Sequence, residues 1–434
     1  MTHAESAETA ARRPTPATIL LVLVPFAFGY FLSYFFRAVN AVVAPDLKAE
    51  LSLGATEIGL LTSAYLFTFA LAQLPLGVAL DRYGPRRCQT ILIAIAAAGA
   101  LMFALGDGIV ELTIARALIG LGFAGGLMGG FKAVAIWVSP QRHALANAWV
   151  MSAGALGLLV ATAPAEFAVQ LFGWRDVFMA LAAATLVSAA LIWFVVPERP
   201  NKTTTGQTLS GQVAGLAQIM RDRVFWAITP MLAATAGTQI AIQTLWAGPW
   251  QRDVAGLDRT GAAEVLFVAA IAFFVGVLTS GALADWLLRR GVSLLTTLMG
   301  FIVLFIASQI GIILELLAFN SAIWFVFGMT GQTAVLAYPW LARYFGQALA
   351  GRSNAAVNLS LFAAAFAIQY AIGLIIDLFP QTPSGGFPKQ AYQYAFGTFL
   401  ALQVLTILWY AVNLGQIRAV ERQFGSQSET GQAD

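Results

Sequence analysis

Long apolar stretches separated by short polar loops dominate the pattern of the chain. A helix that crosses the hydrocarbon core of a bilayer, about 30 Å thick, needs about 20 mostly apolar residues. On that measure the sequence predicts twelve membrane spans. They are predicted at 17–44, 56–80, 88–106, 112–137, 144–169 and 176–196, and then at 224–247, 260–287, 293–314, 320–342, 354–377 and 392–414.

The segment 197–223 interrupts this pattern, because it is polar and rich in Thr, Gly and Gln. It predicts a cytoplasmic linker between an N-terminal six-helix bundle at 17–196 and a C-terminal six-helix bundle at 224–414. Polar tails at 1–16 and 415–434 are predicted to lie in the cytoplasm.

The second half of the chain repeats the first. Identical residues recur at an offset of 204 without a gap, in the pairs Gly77/Gly281, Asp81/Asp285, Arg86/Arg290, Pro45/Pro249 and Thr56/Thr260. An internal repeat of hydrophobic helices is typical of secondary transporters, which bind their substrate at the interface of the halves. We therefore predict an all-α membrane protein with 12 transmembrane helices in two pseudo-symmetric six-helix bundles.

Composition supports a membrane location. The chain is 59% hydrophobic and 10% charged, whereas about a quarter of the residues of a soluble domain are charged. Its basic residues are spread over short loops, so no nucleic-acid partner is expected. With one cysteine and two histidines, no metal site is expected, and no cofactor is predicted.

The distribution of Lys and Arg predicts the orientation. If the N-terminus is cytoplasmic, cytoplasmic segments hold 16 of the 24 basic residues and the opposite face holds 5. This bias predicts a multi-pass protein of the inner (plasma) membrane with both termini in the cytoplasm. We expect a monomer.

A polar motif follows the second predicted span. The loop reads Gly-x-x-x-Asp-Arg-x-Gly-x-Arg-Arg, formed by Gly77, Asp81, Arg82, Gly84, Arg86 and Arg87. It resembles the loop 2–3 signature of the major facilitator superfamily. The resemblance covers nearly the whole chain and implies transport by alternating access between two bundles.

In that family this cluster latches the inner gate in the outward-open state. The resemblance therefore assigns a gating role to Asp81, Arg82, Arg86 and Arg87. Asp285 occupies the repeated position, but Trp286 follows it where the first copy has an arginine.

Arg37 is a charged residue inside the first predicted span. The surrounding residues, with Tyr34 before it and Asn40 after it, resemble the first helix of the anion:cation symporter branch, where an arginine followed by an asparagine binds the carboxylate of an organic anion. The spacing here is Arg-x-x-Asn rather than Arg-x-Asn. A guanidinium is a bidentate partner for a carboxylate. The alternative is that Arg37 snorkels to the outer interface.

Three further charged residues within predicted spans are candidates for a role in the mechanism. Arg116, in an Arg-x-x-x-Gly-x-Gly pattern, resembles a fourth-helix arginine tied either to coupling or to helix anchoring. Lys132 either draws an anion inward or snorkels. Glu166 could carry a coupling proton if it is desolvated, pair with Arg116, or face headgroup water.

Neutral polar side chains on the second-half spans complete the predicted substrate site, because a polar group in hydrocarbon needs a partner. They are Gln239, Gln243 and Trp246 in span seven, Gln332 and Tyr338 in span ten, and Asn358 in span eleven.

We therefore predict a secondary active transporter that moves a small organic anion, with proton symport as the predicted coupling. Two alternatives stay open: an exporter of amphipathic compounds or drugs by proton antiport, and a non-transporting membrane receptor or scaffold. An enzyme is not predicted, because no nucleophile–base pair or metal cluster occurs at membrane depth.

Overall fold

The fold is taken from a computed structural model, which describes residues 16–139, 142–198, 209–346, 349–383 and 385–430. Within these ranges the chain is helical nearly throughout and has no strand. The predicted N-terminal tail before Pro16 and residues 199–208 of the predicted linker lie outside the described residues.

The first half contains eight helices in its described ranges. They are α1 (Pro16–Ala38), α2 (Asn40–Leu51), α3 (Ala55–Leu105), α4 (Ile109–Phe123), α5 (Gly126–Trp137), α6 (His143–Val160), α7 (Ala163–Phe172) and α8 (Trp174–Val195). The long helix α3 is kinked at Gly84, whose φ of 78° is readily adopted only by glycine. This kink falls in the polar loop that the sequence predicts.

The described second half begins with α9 (Leu209–Met220), in the linker region, and continues through nine further helices. They are α10 (Arg223–Ala241), α11 (Ala247–Asp253), α12 (Arg259–Leu288), α13 (Leu294–Ile313), α14 (Asn320–Gly331), α15 (Ala337–Phe345), α16 (Ala350–Ile376), α17 (Lys389–Val412) and α18 (Leu414–Thr430). A π-helical turn, Ile242–Trp246, joins α10 to α11, and a 3-10 turn, Gln332–Leu336, joins α14 to α15.

Ten helical segments of the described residues are long and apolar enough to cross a membrane, and the bent pair α6–α7 makes eleven. Two of the ten lie in α3, one combines α4 with α5, and one runs from α10 through α11. The sequence predicts twelve spans. The difference lies at 320–342, where the 3-10 turn Gln332–Leu336 divides the predicted span into two short helices. The predicted span 144–169 also differs, because α6 and α7 meet at an angle of 48°.

Following the charge-based prediction, we call the face that carries residues 51–55 and 253–259 the outer face. The largest buried apolar cluster includes residues of both halves, such as Phe36, Tyr65, Trp246 and Ile368. Toward the opposite face, the described apolar clusters belong to one half each. The two bundles therefore share a core at the outer side and have separate cores at the inner side.

The glycines of α4 and α5 allow close helix contact, as their spacing predicts. A Cβ atom on Gly122 would lie 2.4 Å from the carbonyl oxygen of Leu92 and 2.5 Å from the backbone nitrogen of Ala96. Because both neighbours are backbone atoms, they cannot move aside without shifting α3.

We expect Gly122→Ala to lower the stability of the protein by about 1–3 kcal/mol, the usual cost of overpacking a well-packed contact. The measurement is the thermal unfolding of the purified protein in detergent. Gly300→Ala is the matched control, since a Cβ atom there meets nothing within 4 Å. Equal melting temperatures for the two variants would contradict the close contact.

Candidate functional site

A cavity of about 120 Å³ lies between the two bundles. The first half contributes Tyr30, Tyr34, Arg37, Phe69, Gln73, Ala124, Leu127, Met128 and Met151, and the second half contributes Ala236, Ile240, Gly331, Ala334, Val335, Tyr338, Asn358, Leu361 and Phe362. We call it the central cavity. It lies at the interface of the halves, where the internal repeat predicts a substrate site.

Arg37 is the charged residue that lines the central cavity. It is only 7% exposed, and its guanidinium lies 4.5 Å from the ring centroid of Tyr34 and 5.1 Å from those of Phe69 and Phe362. Among the described residues it forms no ion pair, and its Nε atom has no hydrogen-bond partner. Cation–π contacts contribute up to about 2 kcal/mol when desolvated, but they do not neutralise the charge.

The local helix geometry explains the position of Arg37. Arg37 occupies the last turn of α1, where the helix dipole favours a cation. Val39 separates α1 from α2, and it keeps helical dihedral angles and donates to the carbonyl oxygen of Phe35 at 2.9 Å. The side chain is therefore held at the bundle interface and does not reach the outer surface.

The opposite wall of the cavity carries a polar pair from the second half. The hydroxyl of Tyr338 donates a hydrogen bond of 2.5 Å to Oδ1 of Asn358. Both residues line the cavity, as the sequence predicts for neutral polar groups on these helices. Gln332 lies in the neighbouring 3-10 turn, but its side chain lies outside the described part of the structure.

A layer of hydrogen bonds closes the interface on the outer side of the cavity. The amide of Gln369 donates to the hydroxyl of Thr62 at 2.8 Å and so joins the two bundles. In the second half, the hydroxyl of Thr244 and the indole nitrogen of Trp246 donate to oxygens of Gln369, each at 3.0 Å. Gln369 therefore has partners on both sides of the interface.

Farther out, one arginine of the second half bridges two acids of the first. Arg259 contacts both carboxylate oxygens of Asp46 at 2.8 Å and Oε1 of Glu166 at 2.7 Å. Glu166 is 4% exposed. We call these three residues the outer latch, because Arg259 of the second half joins two acids of the first half on the outer side of the cavity.

A second polar contact supports the outer closure. The carboxylate of Asp377, at the end of α16, accepts hydrogen bonds from the backbone nitrogens of Ala55 and Thr56 at 2.9 and 2.6 Å. In the first turn of α3 these nitrogens have no hydrogen-bond partner within the helix itself. A residue of one bundle therefore caps a helix of the other.

The predicted gate cluster lies at the inner face. Asp81 forms an ion pair of 2.8 Å with Lys132, so Lys132 lies beside the predicted gate cluster and does not line the central cavity. Arg86 and Arg87 pair with Glu198.

The other predicted gate residues differ from these. The guanidinium of Arg82 lies 5.3 Å from the ring centroid of Tyr83. Asp285 is exposed and forms no ion pair within the described residues.

Arg116 is fully buried beside the first bundle's core. One of its nitrogens donates to the carbonyl oxygen of Phe36 at 3.0 Å, and its guanidinium lies 5.2 Å from the ring of Tyr65. It does not line the central cavity. Glu166, a predicted partner of Arg116, pairs with Arg259 instead.

Of the three predicted polar residues of span seven, Gln239 and Gln243 stay in contact, and Trp246 separates from them. Gln239 donates to Gln243, and Trp246 lines a second cavity at the outer face. The π-helical turn Ile242–Trp246 adds a residue to the turn, so Trp246 no longer lies on the same face as Gln239 and Gln243. Asn40 is buried with an unpaired Oδ1 atom and does not line the central cavity.

Sequence reasoning missed two aromatic residues that line the cavity, Phe69 and Phe362. The rings of Phe69 and Phe362 meet across the interface with centroids 4.4 Å apart. It also missed Arg259, which lies 93 residues from Glu166 and 213 from Asp46 along the chain. The sequence signal for Arg259 is its position directly before the predicted span 260–287, at the outer end of that span.

The fold and the site define a polytopic helical membrane protein whose two halves enclose a small cavity. The chain belongs to the Major Facilitator Superfamily, whose family model matches residues 26–412.

Curated relatives are similar over part of their length. A probable sulfoacetate transporter of Cupriavidus necator is 25% identical over 283 residues, which cover 62% of this chain and 66% of the relative. A D-galactonate transporter of Escherichia coli is 26% identical over 296 residues, covering 63% and 69%. The chain therefore spans about two thirds of the length of these relatives.

A solved structure shares the fold over a greater length. A bacterial homologue of the human lysosomal transporter Spinster, in an inward-facing and unoccupied conformation, aligns with a TM-score of 0.70 at 17% identity. The alignment covers 91% of this chain and 97% of that one.

Proposed function

We propose that the protein transports a small organic anion, with Arg37 as the residue that binds the anionic group. The observation that carries this proposal is a buried guanidinium in a cavity between the bundles, with no acid paired to it in the described residues. A charge within the membrane is costly unless it meets a partner or water. An anionic substrate supplies that partner.

The walls of the central cavity fit this class of substrate. Tyr30, Tyr34 and Phe362 provide aromatic surface, while Tyr338 and Asn358 provide a hydroxyl and an amide. An apolar site with a few placed polar groups is typical of small-molecule binding. The volume of about 120 Å³ suits a compact solute in this closed arrangement.

The names of the relatives support the same class. The two curated relatives described above are named for sulfoacetate and D-galactonate, and both compounds carry an acidic group. We extend to this chain only the shared chemistry, a small molecule with a carboxylate or sulfonate.

We further propose that transport proceeds by alternating access of the two bundles, 17–196 and 224–414. The outer latch and the Gln369–Thr62 hydrogen bond support a state closed toward the outer face. The separate inner cores support a route from the cavity to the inner face. We place the monomeric protein in the plasma (inner) membrane with both termini cytoplasmic, as the basic loops predict.

A thermal-shift screen of the purified protein tests the substrate class. We expect small organic acids to raise the melting temperature, because a ligand that binds only the folded state stabilises it. Small amines are expected to have no effect. Stabilisation by lipophilic amphipathic compounds, without any response to acids, would favour the exporter instead.

We propose that Glu166 couples transport to protons through the outer latch. Its carboxylate faces Arg259 directly, with Arg252 nearby, and Gln170 donates to it at 2.9 Å. Asp46 shares Arg259. Protonation of Glu166 removes one of the two charges that hold Arg259, which weakens the outer closure.

The coupling proposal predicts the behaviour of Glu166→Gln. In proteoliposomes, uptake of an organic acid by the wild type is expected to rise several-fold when the outer side is made more acidic. The variant is expected to lose this response, because its amide does not titrate. Equal stimulation of both proteins would exclude Glu166 as the proton carrier.

A further inference from the structure

A second cavity, of about 640 Å³, opens between the bundles at the outer face. We call it the outer vestibule. We propose that it is a second binding site for small carboxylates or sulfonates, formed by Lys48 and Arg252, which receives the anion on the outer side of the closed interface. This inference rests on the organic-anion function proposed above, and it adds a site that the central cavity does not contain.

The internal repeat places the two cations of the vestibule. The halves are related by an offset of 204 residues. Lys48 and Arg252 are separated by this offset, so they occupy equivalent positions in the two halves. Pro45 and Pro249, a pair with the same offset, also line the vestibule. Each bundle therefore contributes one cation from the corresponding turn, and both cations line one space.

The guanidinium of Arg252 has no hydrogen-bond or ion-pair partner within the described residues, although it interacts electrostatically with Asp253 and Glu166. The carboxylate of Asp253 is committed elsewhere, because one of its oxygens accepts from the hydroxyl of Tyr392 at 2.6 Å and from the backbone nitrogen of Phe387 at 3.0 Å. The donors of Arg252 therefore remain available for a bidentate contact with an anion.

Lys48 is fixed at the edge of the same space. Its ammonium donates to the carbonyl oxygen of Gly385 and lies 4.1 Å from the ring centroid of Phe387. Partial burial lowers the pKa of Lys48, while the charges of Asp253 and Asp377 act in the opposite direction. Two of its three donors have no described hydrogen-bond partner, so the ammonium can also bind an anion.

The vestibule is separate from the central cavity. No residue lines both cavities, and Trp246 lines the vestibule while its indole nitrogen donates to Gln369 in the closing layer. An anion in the vestibule therefore reaches Arg37 only after this layer opens. The charged residues that line the vestibule are Lys48, Arg252 and the acid Asp253, so its lining carries a net positive charge. A net positive charge raises the local concentration of anions at that entrance.

Uptake kinetics test the role of the vestibule. The probes are D-galactonate and sulfoacetate with wild-type and Arg252→Gln protein in proteoliposomes. We expect the variant to raise the half-saturating concentration about tenfold, as for loss of one charge-assisted hydrogen-bonded contact, and to keep the maximal rate within about twofold. Lys389→Gln is the matched control, because Lys389 is also an outer-face cation but pairs with Glu315 at 2.8 Å.

Equilibrium binding tests the vestibule independently of transport. The full-length Arg37→Gln protein is expected to retain weak binding of one of the two labelled probes, and Arg37→Gln/Arg252→Gln is expected to lose it. Binding that is absent from Arg37→Gln, or unchanged by the second substitution, would overturn the vestibule site. The organic-anion function would fail separately, if wild-type protein bound and transported neither these probes nor the acids of the thermal-shift screen.

Discussion

Arg37→Gln is expected to reduce uptake of the organic anion by about 100-fold or more. Removal of a charged hydrogen-bonding partner from a desolvated site costs about 3 kcal/mol of binding free energy, and the described lining of the central cavity offers no other cation. The measurement is initial-rate uptake in proteoliposomes at matched protein content.

Two control variants separate binding from folding. Arg37→Lys keeps the positive charge but loses the planar, bidentate geometry, so an intermediate rate is expected. Without substrate, the Arg37→Gln protein is expected to have a melting temperature equal to or above that of the wild type, because the substitution removes a buried charge that has no acid partner. Wild-type uptake by Arg37→Gln would exclude Arg37 from the site.

Arg259→Ala is expected to open the outer face. The substitution leaves the buried Glu166 without its ion-pair partner, and loss of one partner from a fully buried pair costs about 3–5 kcal/mol. Because the Arg259 side chain is 34% exposed, we expect solvent screening to reduce this to about 2 kcal/mol, or roughly 30-fold in the equilibrium between closed and open states.

Spin-label distances across the outer vestibule measure this opening. Labels are attached to cysteines at Ala49 and Gln381, which line it from opposite bundles, in a Cys88→Ser background. Arg259→Ala is expected to shift the distance distribution to longer values, and Glu166→Gln in the same chain is expected to restore part of the short distances. Arg175→Ala is the matched control, since Arg175 pairs with Glu50 and Asp107 of its own bundle.

The architecture was largely accessible from the sequence. The lengths of the apolar stretches and the repeat at an offset of 204 predict two bundles, and the structure has a cavity between halves related in this way. Arg37, Tyr34, Tyr338 and Asn358 could also be placed at the interface, because a polar or charged group within a span needs a partner.

Other features depend on contacts that a single sequence does not encode locally. The π-helical turn Ile242–Trp246 shifts Trp246 into the outer vestibule, and a regular helical spacing does not anticipate it. Phe69 and Phe362 were not distinguishable from lipid-facing aromatic residues by type. Lys132 is a predicted substrate-binding residue, but the structure pairs it with Asp81. The two residues are 51 positions apart, so the sequence alone does not indicate the pair.

The most direct test of the account is an experimental structure of the protein with a transported organic acid bound. If Arg37 binds the anion, the acidic group lies within hydrogen-bonding distance of the Arg37 guanidinium, in the central cavity between Tyr34 and Tyr338. A structure in which the acid is bound without any contact to Arg37, while Arg37 remains packed on its aromatic neighbours, would contradict it.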